Sequence, residues 1–167
     1  MAVSVTGSIT VTQADAVHAL TSGVVSATIS DTDLDTLLNL DTGNNWTVTV
    51  DKQTADNPDT ANSELVTTLD VGNINTLNGL TNEVVTITAP AITGTVAELA
   101  TAFAANTPAD LADRTISGLE TVAITIEDEL NQTELETAQA YSTGVVTATL
   151  ATGDVPVSYT HLRAHET

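Results

Sequence analysis

One short pattern occurs three times in this sequence and limits the possible folds more than any other feature. The stretch TSGVVSATI returns as TNEVVTITA and again as STGVVTATL. The Val-Val pairs in these stretches begin at Val24, Val84 and Val145, so the pattern returns after 60 and then 61 positions. A nearly constant period of this length predicts a repeat architecture, in which each unit completes its core by stacking on its neighbours.

Apolar and polar residues alternate strictly within these stretches. Val25, Ala27 and Ile29 alternate with Ser26 and Thr28. The same alternation occurs over residues 9–12, 46–50, 85–89 and 146–150. The chain contains 33 threonines and 18 valines, and these β-branched residues favour strands. Because successive side chains of a strand point to opposite faces, we expect one apolar face that is covered and one threonine face that meets water.

Short segments with helical spacing precede the strands. In these segments apolar residues recur every three or four positions, which is typical of a helix that buries one side. Asp33 and Thr95 are predicted N-caps because their side-chain oxygens can accept hydrogen bonds from the first turn. The predicted helical ranges are 14–20, 33–40, 74–80, 96–103 and 135–141.

The succession of strands and helices predicts an α/β repeat solenoid, with a parallel sheet on one side and short helices on the other. Residues 1–156 would form this array, as about two and a half double units of roughly 60 residues each. The alternative is an all-β sandwich, which the regular spacing of the turns also allows. The Leu/Ala-rich segments 96–105 and 135–141 favour the solenoid. The polar segment 53–62 is predicted to be a loop.

The charge balance excludes several classes of partner. The chain has 22 acidic residues against 3 Lys and Arg, and its net charge is −19. Such a surface repels phosphate backbones and anionic lipid headgroups, so we expect no nucleic-acid partner. The longest apolar runs are too short to span a bilayer, so we expect no membrane insertion. Acidity of this degree keeps a long polymer soluble.

Three carboxylates at alternate positions are the candidate metal ligands. Asp31, Asp33 and Asp35 resemble the start of a calcium-binding loop, and calcium is the one cofactor they suggest. An EF-hand loop needs glycine at its sixth position and glutamate at its twelfth, but Thr36 and Thr42 stand there. Acid at a helix N-terminus explains the pattern equally simply, through the helix dipole.

The remaining polar features do not form a catalytic constellation. The chain lacks cysteine, and His18 has no serine or cysteine partner at a spacing typical of a nucleophile. We therefore expect no catalytic residues and no enzyme. Residues 127–129, Glu-Asp-Glu, are predicted to form a solvated turn. The threonine face could instead bind a ligand, such as ice or a glycan.

The repeat texture resembles a known class of sequence. The stretches SGVVSATIS, TGVVTATLA and NINTLNGLTNEVVTITAPAITGTVAELATAFAA are similar to the Thr/Asp-rich repeat arrays of very long bacterial surface proteins, such as those of marine cyanobacteria. The resemblance covers Met1 to about Pro156. It implies secretion or cell-surface display and a structural or adhesive role. The implied partners are neighbouring repeats of the same longer chain and a surface or a glycan.

The last eleven residues break this texture. Residues 157–167, VSYTHLRAHET, resemble one translated frame of a transposase-type sequencing adapter. We therefore expect this tail to be an artefact at the end of a truncated metagenomic gene, outside the folded array. The competing interpretation is a metal-binding pair, His161 and His165, at helical i, i+4 spacing.

Overall fold

The computed structural model describes residues 1–57, 62–106 and 113–151. These residues form short helices that alternate with strands. The helices are α1 (Val11–His18), α2 (Leu34–Leu37), α3 (Val71–Asn78), α4 (Val96–Asn106) and α5 (Gln132–Gln139). The strands are β1 (Val3–Ile9), β2 (Val25–Ile29), β3 (Asn45–Val50), β4 (Gln53–Asn57), β5 (Asn62–Val66), β6 (Thr68–Asp70), β7 (Val85–Ile87), β8 (Ala91–Gly94), β9 (Ile116–Ser117), β10 (Ala123–Leu130) and β11 (Val146–Leu150).

The strands form two parallel sheets and one antiparallel hairpin. The first sheet has the order β1-β2-β3-β7-β9 and the second has the order β6-β8-β10-β11, so the strands of each sheet follow one another in chain order. Helices connect most neighbouring strands, as parallel pairing requires. The α/β prediction is therefore confirmed, and the all-β alternative is wrong. The prediction of a single sheet is also wrong, because the parallel strands divide between two.

The inward faces of both sheets and one side of the helices form a common apolar core. Val25, Ala27 and Ile29 are at most 7% exposed, as their alternation predicts. Trp46 is the largest fully buried side chain, and its indole Nε1 donates to the Asp41 carbonyl oxygen at 2.8 Å. The helices add further buried residues, among them Leu34, Leu37, Val71, Ile74, Leu77, Leu99 and Phe103.

Both predicted N-caps are confirmed. The Asp33 carboxylate accepts a hydrogen bond from the Thr36 amide at 3.0 Å. The Thr95 hydroxyl accepts from the Glu98 amide at 3.3 Å, and the Glu98 carboxylate accepts in return from the Thr95 amide at 2.9 Å. This reciprocal pair is a capping box, and it fixes the start of α4.

The strand predicted over residues 9–12 is wrong beyond Ile9. Thr10 is the N-cap of α1, its side chain accepts from the Gln13 amide, and Val11 is the first helical residue. Four alternating residues fit a strand and a helix start equally well, so the cap decides between them. α1, α3 and α5 each begin three residues before their predicted ranges, because the capping residue, and not the apolar spacing, sets where a helix starts.

The predicted loop over residues 53–62 is wrong where the structure describes it. β4 and β5 pair antiparallel, with Gln53 opposite Val66 and Thr54 opposite Leu65. Residues 58–61 lie outside the described residues. The backbones of the two strands pair, but Leu65 is 62% exposed and so adds little to an apolar face. A search for an apolar period therefore cannot detect it.

Two β-α-β modules at opposite ends of the chain have the same register. In the module β1-α1-β2, Val3 pairs with Val25, and in β10-α5-β11, Ile124 pairs with Val146. Four residue pairs of the second module are those of the first with 121 added to each number, and the register shift falls at the same place. Both helices also begin with a capping box.

Candidate functional site

Rows of hydroxyl side chains cross the outward faces of both sheets. Paired positions on neighbouring strands carry threonine or serine, and these side chains are exposed or partly exposed. Adjacent strands lie about 4.8 Å apart, so each row repeats its hydroxyls at that spacing. The rows are Ser8–Thr28–Thr47, Thr49–Thr86–Ser117 and Thr93–Thr125–Thr147.

Two acidic residues lie beside Thr93 of the third row. Asp70 is paired with Thr93 on the neighbouring strand. The Thr93 hydroxyl donates to Glu127 Oε1 at 3.1 Å. The row therefore combines neutral hydroxyls with carboxylate oxygens, which are the groups that bind the hydroxyls of a glycan or a hydrated cation.

The three candidate calcium ligands have different partners. Asp31 Oδ2 accepts a hydrogen bond from the Val11 amide at 2.7 Å. Asp33 caps α2, and its second oxygen accepts from the Thr54 hydroxyl at 3.1 Å. Asp33 and Asp35 line an open polar groove of about 510 Å³ beside β4, and Asp31 is not among its lining residues. Within the described residues, no three His, Asp, Glu or Cys side chains converge to hold a metal.

Two aspartates, Asp31 just after β2 and Asp128 in β10, each bind the first amide of a helix. Asp31 holds Val11 at the start of α1, and Asp128 Oδ2 accepts from the Val96 amide at the start of α4, at 2.8 Å. The negative charge also interacts favourably with the helix dipole. The solvated turn predicted for residues 127–129 is therefore wrong, since they lie in β10. Sequence reasoning missed this role because the two partners are far apart in sequence.

A serine or threonine hydroxyl joins the turn before each of β2, β7 and β11 to an earlier part of the chain. We call this contact a hydroxyl clasp. The Thr81 hydroxyl accepts from the Trp46 and Glu83 amides and donates to the Trp46 carbonyl at 2.8 Å. Ser142 accepts from the Gly144 amide and donates to the Val122 carbonyl at 2.7 Å. Thr21 donates in the same way to the Met1 carbonyl at 3.0 Å. This hydroxyl is the first residue of each recurring stretch, which was the available signal.

Asn44 satisfies the first backbone amide of β2. Its side chain is 1% exposed, and Oδ1 accepts from the Val25 amide at 2.9 Å. Its Nδ2 donates to the Asp41 and Thr42 carbonyls and lies 3.3 Å from His18 Nδ1. His18 is thus a partly exposed neighbour of this buried network.

Two carboxylates are held in the charged form by hydrogen bonds. The Thr95 backbone amide, followed by its hydroxyl, lowers the pKa of Glu98 below its ordinary value. The Thr32 hydroxyl, followed by Lys52, lowers the pKa of Asp51. Hydrogen bonds to the ionised form favour it, so both groups stay charged at neutral pH. Both lie near helix starts, where they support the fold.

The end modules differ in how well they are covered. In β2 the inward residues are at most 7% exposed, whereas Val146, Ala148 and Leu150 of β11 are only partly buried. Conversely, Val3 of β1 is partly buried, whereas the equivalent Ile124 of β10 is 1% exposed. The outer edges of β1 and β11 therefore meet no neighbouring strand within the described residues.

In comparisons with protein-family models, curated proteins and solved structures, nothing matches this chain. Across residues 1–57, 62–106 and 113–151, no helix combines the length and apolarity needed to cross a membrane. The predicted adapter tail and the His161/His165 pair lie outside the described residues.

Proposed function

We propose that this chain is a non-enzymatic structural or adhesive segment of a secreted or cell-surface bacterial protein, built as an α/β solenoid of stacked repeats. The observation that carries this proposal is the shared register of the two end modules. A match of every strand pair after 121 positions is what a unit copied along a chain produces. The interval equals the two successive spacings of the Val-Val pairs taken together.

The mechanism is mechanical. Each strand pairs in parallel with the strand that precedes it in the sheet, and three hydroxyl clasps tie a turn to an earlier one. Length then grows by adding units, with neighbouring repeats of the same longer chain as the partners. The net charge of −19 opposes aggregation between such arrays.

The numbering equivalence allows this proposal to be tested in one chain. Residue 151 corresponds to residue 30, so a chain of residues 1–151 followed directly by residues 31–167 extends the array in phase. We expect a higher free energy of unfolding than for the original chain, because each new interface adds stability. Amide exchange over residues 146–150 should also slow, since β11 becomes an internal strand.

The matched control is the same extension that starts at residue 32. Removal of one residue puts the added strands out of phase, and a slip of one position exchanges the apolar and polar faces. The proposal is rejected if the two extended chains unfold at the same denaturant concentration, or if neither protects residues 146–150.

A second function is favoured by the hydroxyl rows and the groove at Asp33. We propose a binding module for calcium, a glycan or ice as the alternative. A calcium titration followed by thermal melting tests the first ligand, since a bound cation raises the melting temperature. For the other ligands, Thr125→Lys in the centre of a row should reduce glycan binding or ice shaping. Thr101→Lys, on the exposed side of α4, is the matched control.

A further inference from the structure

The outer edge of β11 differs from that of its counterpart β2. Both strands follow a helix and pair with an equivalent strand on one side, β10 and β1 respectively. β2 has β3 on its other side, whereas β11 is the last strand of its sheet among the described residues. Val145 is 71% exposed and its equivalent Val24 is 41% exposed. Among the residues that the structure describes, the β11 edge therefore has no neighbouring strand of the kind that covers β2.

The backbone groups of this edge face outward. The Val145 carbonyl accepts from the Ile124 amide, and the Ala151 amide donates to the Leu130 carbonyl. Odd-numbered residues of β11 therefore direct their backbone groups to β10. Since the direction alternates along a strand, Ala148 at the centre directs its N–H and C=O away from β10. An unpaired row of this kind is a template for another strand.

β3 shows which residue types cover the equivalent edge, that of β2. The Val25 amide is bound by the Asn44 side chain at 2.9 Å, and Trp46 lies opposite Ala27. The strand that covers β2 thus consists of an asparagine followed by large apolar residues that alternate with polar ones. β11 and β3 contain no charged residue, so the negative net charge does not oppose their contact locally.

We infer that the outer edge of β11 is a strand-acceptor site that binds, in parallel, an extended segment with the chemistry of β3. Its register is given by the β2–β3 pairs: Asn45 of the segment lies opposite Thr147, Trp46 opposite Ala148 and Thr47 opposite Thr149. This inference rests on the proposed function, because the equivalence of the end modules defines the register. It adds that this site on β11 binds a strand that belongs to a separate molecule.

The probe is a fluorescein-labelled peptide with the sequence of residues 41–52, DTGNNWTVTVDK, added to the full chain. We expect a saturable rise in fluorescence anisotropy and slower amide exchange at residues 146–150. Ala148→Pro should weaken binding at least about tenfold, because proline removes an outward N–H yet is tolerated on an edge strand. Thr147→Ser should leave binding unchanged, since serine keeps the backbone N–H and the hydroxyl and the backbone groups of this residue face β10.

Modified peptides test the inference without changing the protein. The Trp46 amide donates towards Thr81, on the β7 side of β3, so the Thr47 amide faces β2. A peptide N-methylated at Thr47 should therefore fail to bind, whereas one methylated at Val48 should bind like the unmodified peptide.

Three results would overturn the inference. They are no binding at millimolar peptide, equal binding of the two methylated peptides, and a concentration-dependent dimer that Ala148→Pro dissolves while the peptide stays unbound. The last result would assign the edge to a second copy of the chain. If the peptide fails but the in-phase extension is stabilised, the proposed function survives and only docking between molecules is rejected.

Discussion

Ser142 joins two successive turns of the chain by donating its hydroxyl proton to the Val122 carbonyl, 2.7 Å away. The same oxygen accepts from the Gly144 amide, so one side chain satisfies backbone groups of Val122 and Gly144, which are 22 positions apart in sequence. Thr81 makes the corresponding contacts with Trp46 and Glu83. These hydroxyls fasten neighbouring turns at the end of the sheet opposite to the helix starts.

Thr81→Val tests the clasp in the centre of the molecule. The substitution keeps the shape but leaves the buried Trp46 amide and carbonyl without their partner, so the free energy of unfolding should fall by about 1–3 kcal/mol. Thr47→Val, on the exposed face of the same strand β3, should change it by less than about 0.5 kcal/mol. Urea denaturation measures both, and equal effects would contradict the assigned role.

Gly144→Ala tests how closely the turns approach. An added Cβ would lie 2.1 Å from the Val122 carbonyl oxygen, so the strand must shift. We expect a loss of about 1–3 kcal/mol in unfolding free energy. Gly79→Ala is the control, because its Cβ would meet nothing closer than 3.3 Å and its backbone is helical. A Gly144→Ala protein as stable as the Gly79→Ala protein would show that the contact is looser than described.

Asp31→Ala separates a helix-binding role from a calcium-binding one. Asp31 accepts from the Val11 amide, so its removal should lower unfolding free energy by about 1.5–3 kcal/mol even in the presence of a chelator. Asp31→Asn should restore part of the loss, since an amide oxygen still accepts. A loss that appears only when calcium is present would instead favour the metal site.

Glu98 gives a pH dependence of known sign. Its pKa is lower in the folded chain than the ordinary 4.5, so the charged form contributes stability above that value. The contribution disappears as the pH falls through the folded pKa, because the carboxyl is then protonated in both states. Glu98→Gln should therefore be less stable than the original chain at pH 7, and this difference should shrink at pH 3. Thermal unfolding of both chains at the two pH values tests this, and an unchanged difference would refute it.

The sequence predicted the faces of the strands better than the ends of the helices. Val25 and Trp46 are buried as the alternation requires, because burial of one strand face is a local, periodic property. Thr10 and Val11 were assigned to a strand, because their alternation is too short to decide between strand and helix. The division into two sheets depends on contacts between distant strands, which a single sequence does not reveal.

The candidate site was likewise predictable only in part. The hydroxyl rows follow from the alternation, and the structure places Thr93, Thr125 and Thr147 in one row. The spacing of Asp31 and Asp33 suggested a metal loop, but each carboxylate binds a backbone amide of a helix start. One of these amides lies 20 positions away, so spacing within a single stretch cannot identify it.

The connections between the two sheets have very different lengths. Residues 51–67 lead from β3 to β6 and include the β4–β5 hairpin, whereas residues 88–90 alone lead from β7 to β8. Yet β3 pairs with β7 in the first sheet, and β6 pairs with β8 in the second. The long and the short connection therefore join the same two neighbouring positions of the sheets. The connection from β3 to β6 is accordingly where foreign peptides could be grafted for display while the two sheets on either side keep their geometry.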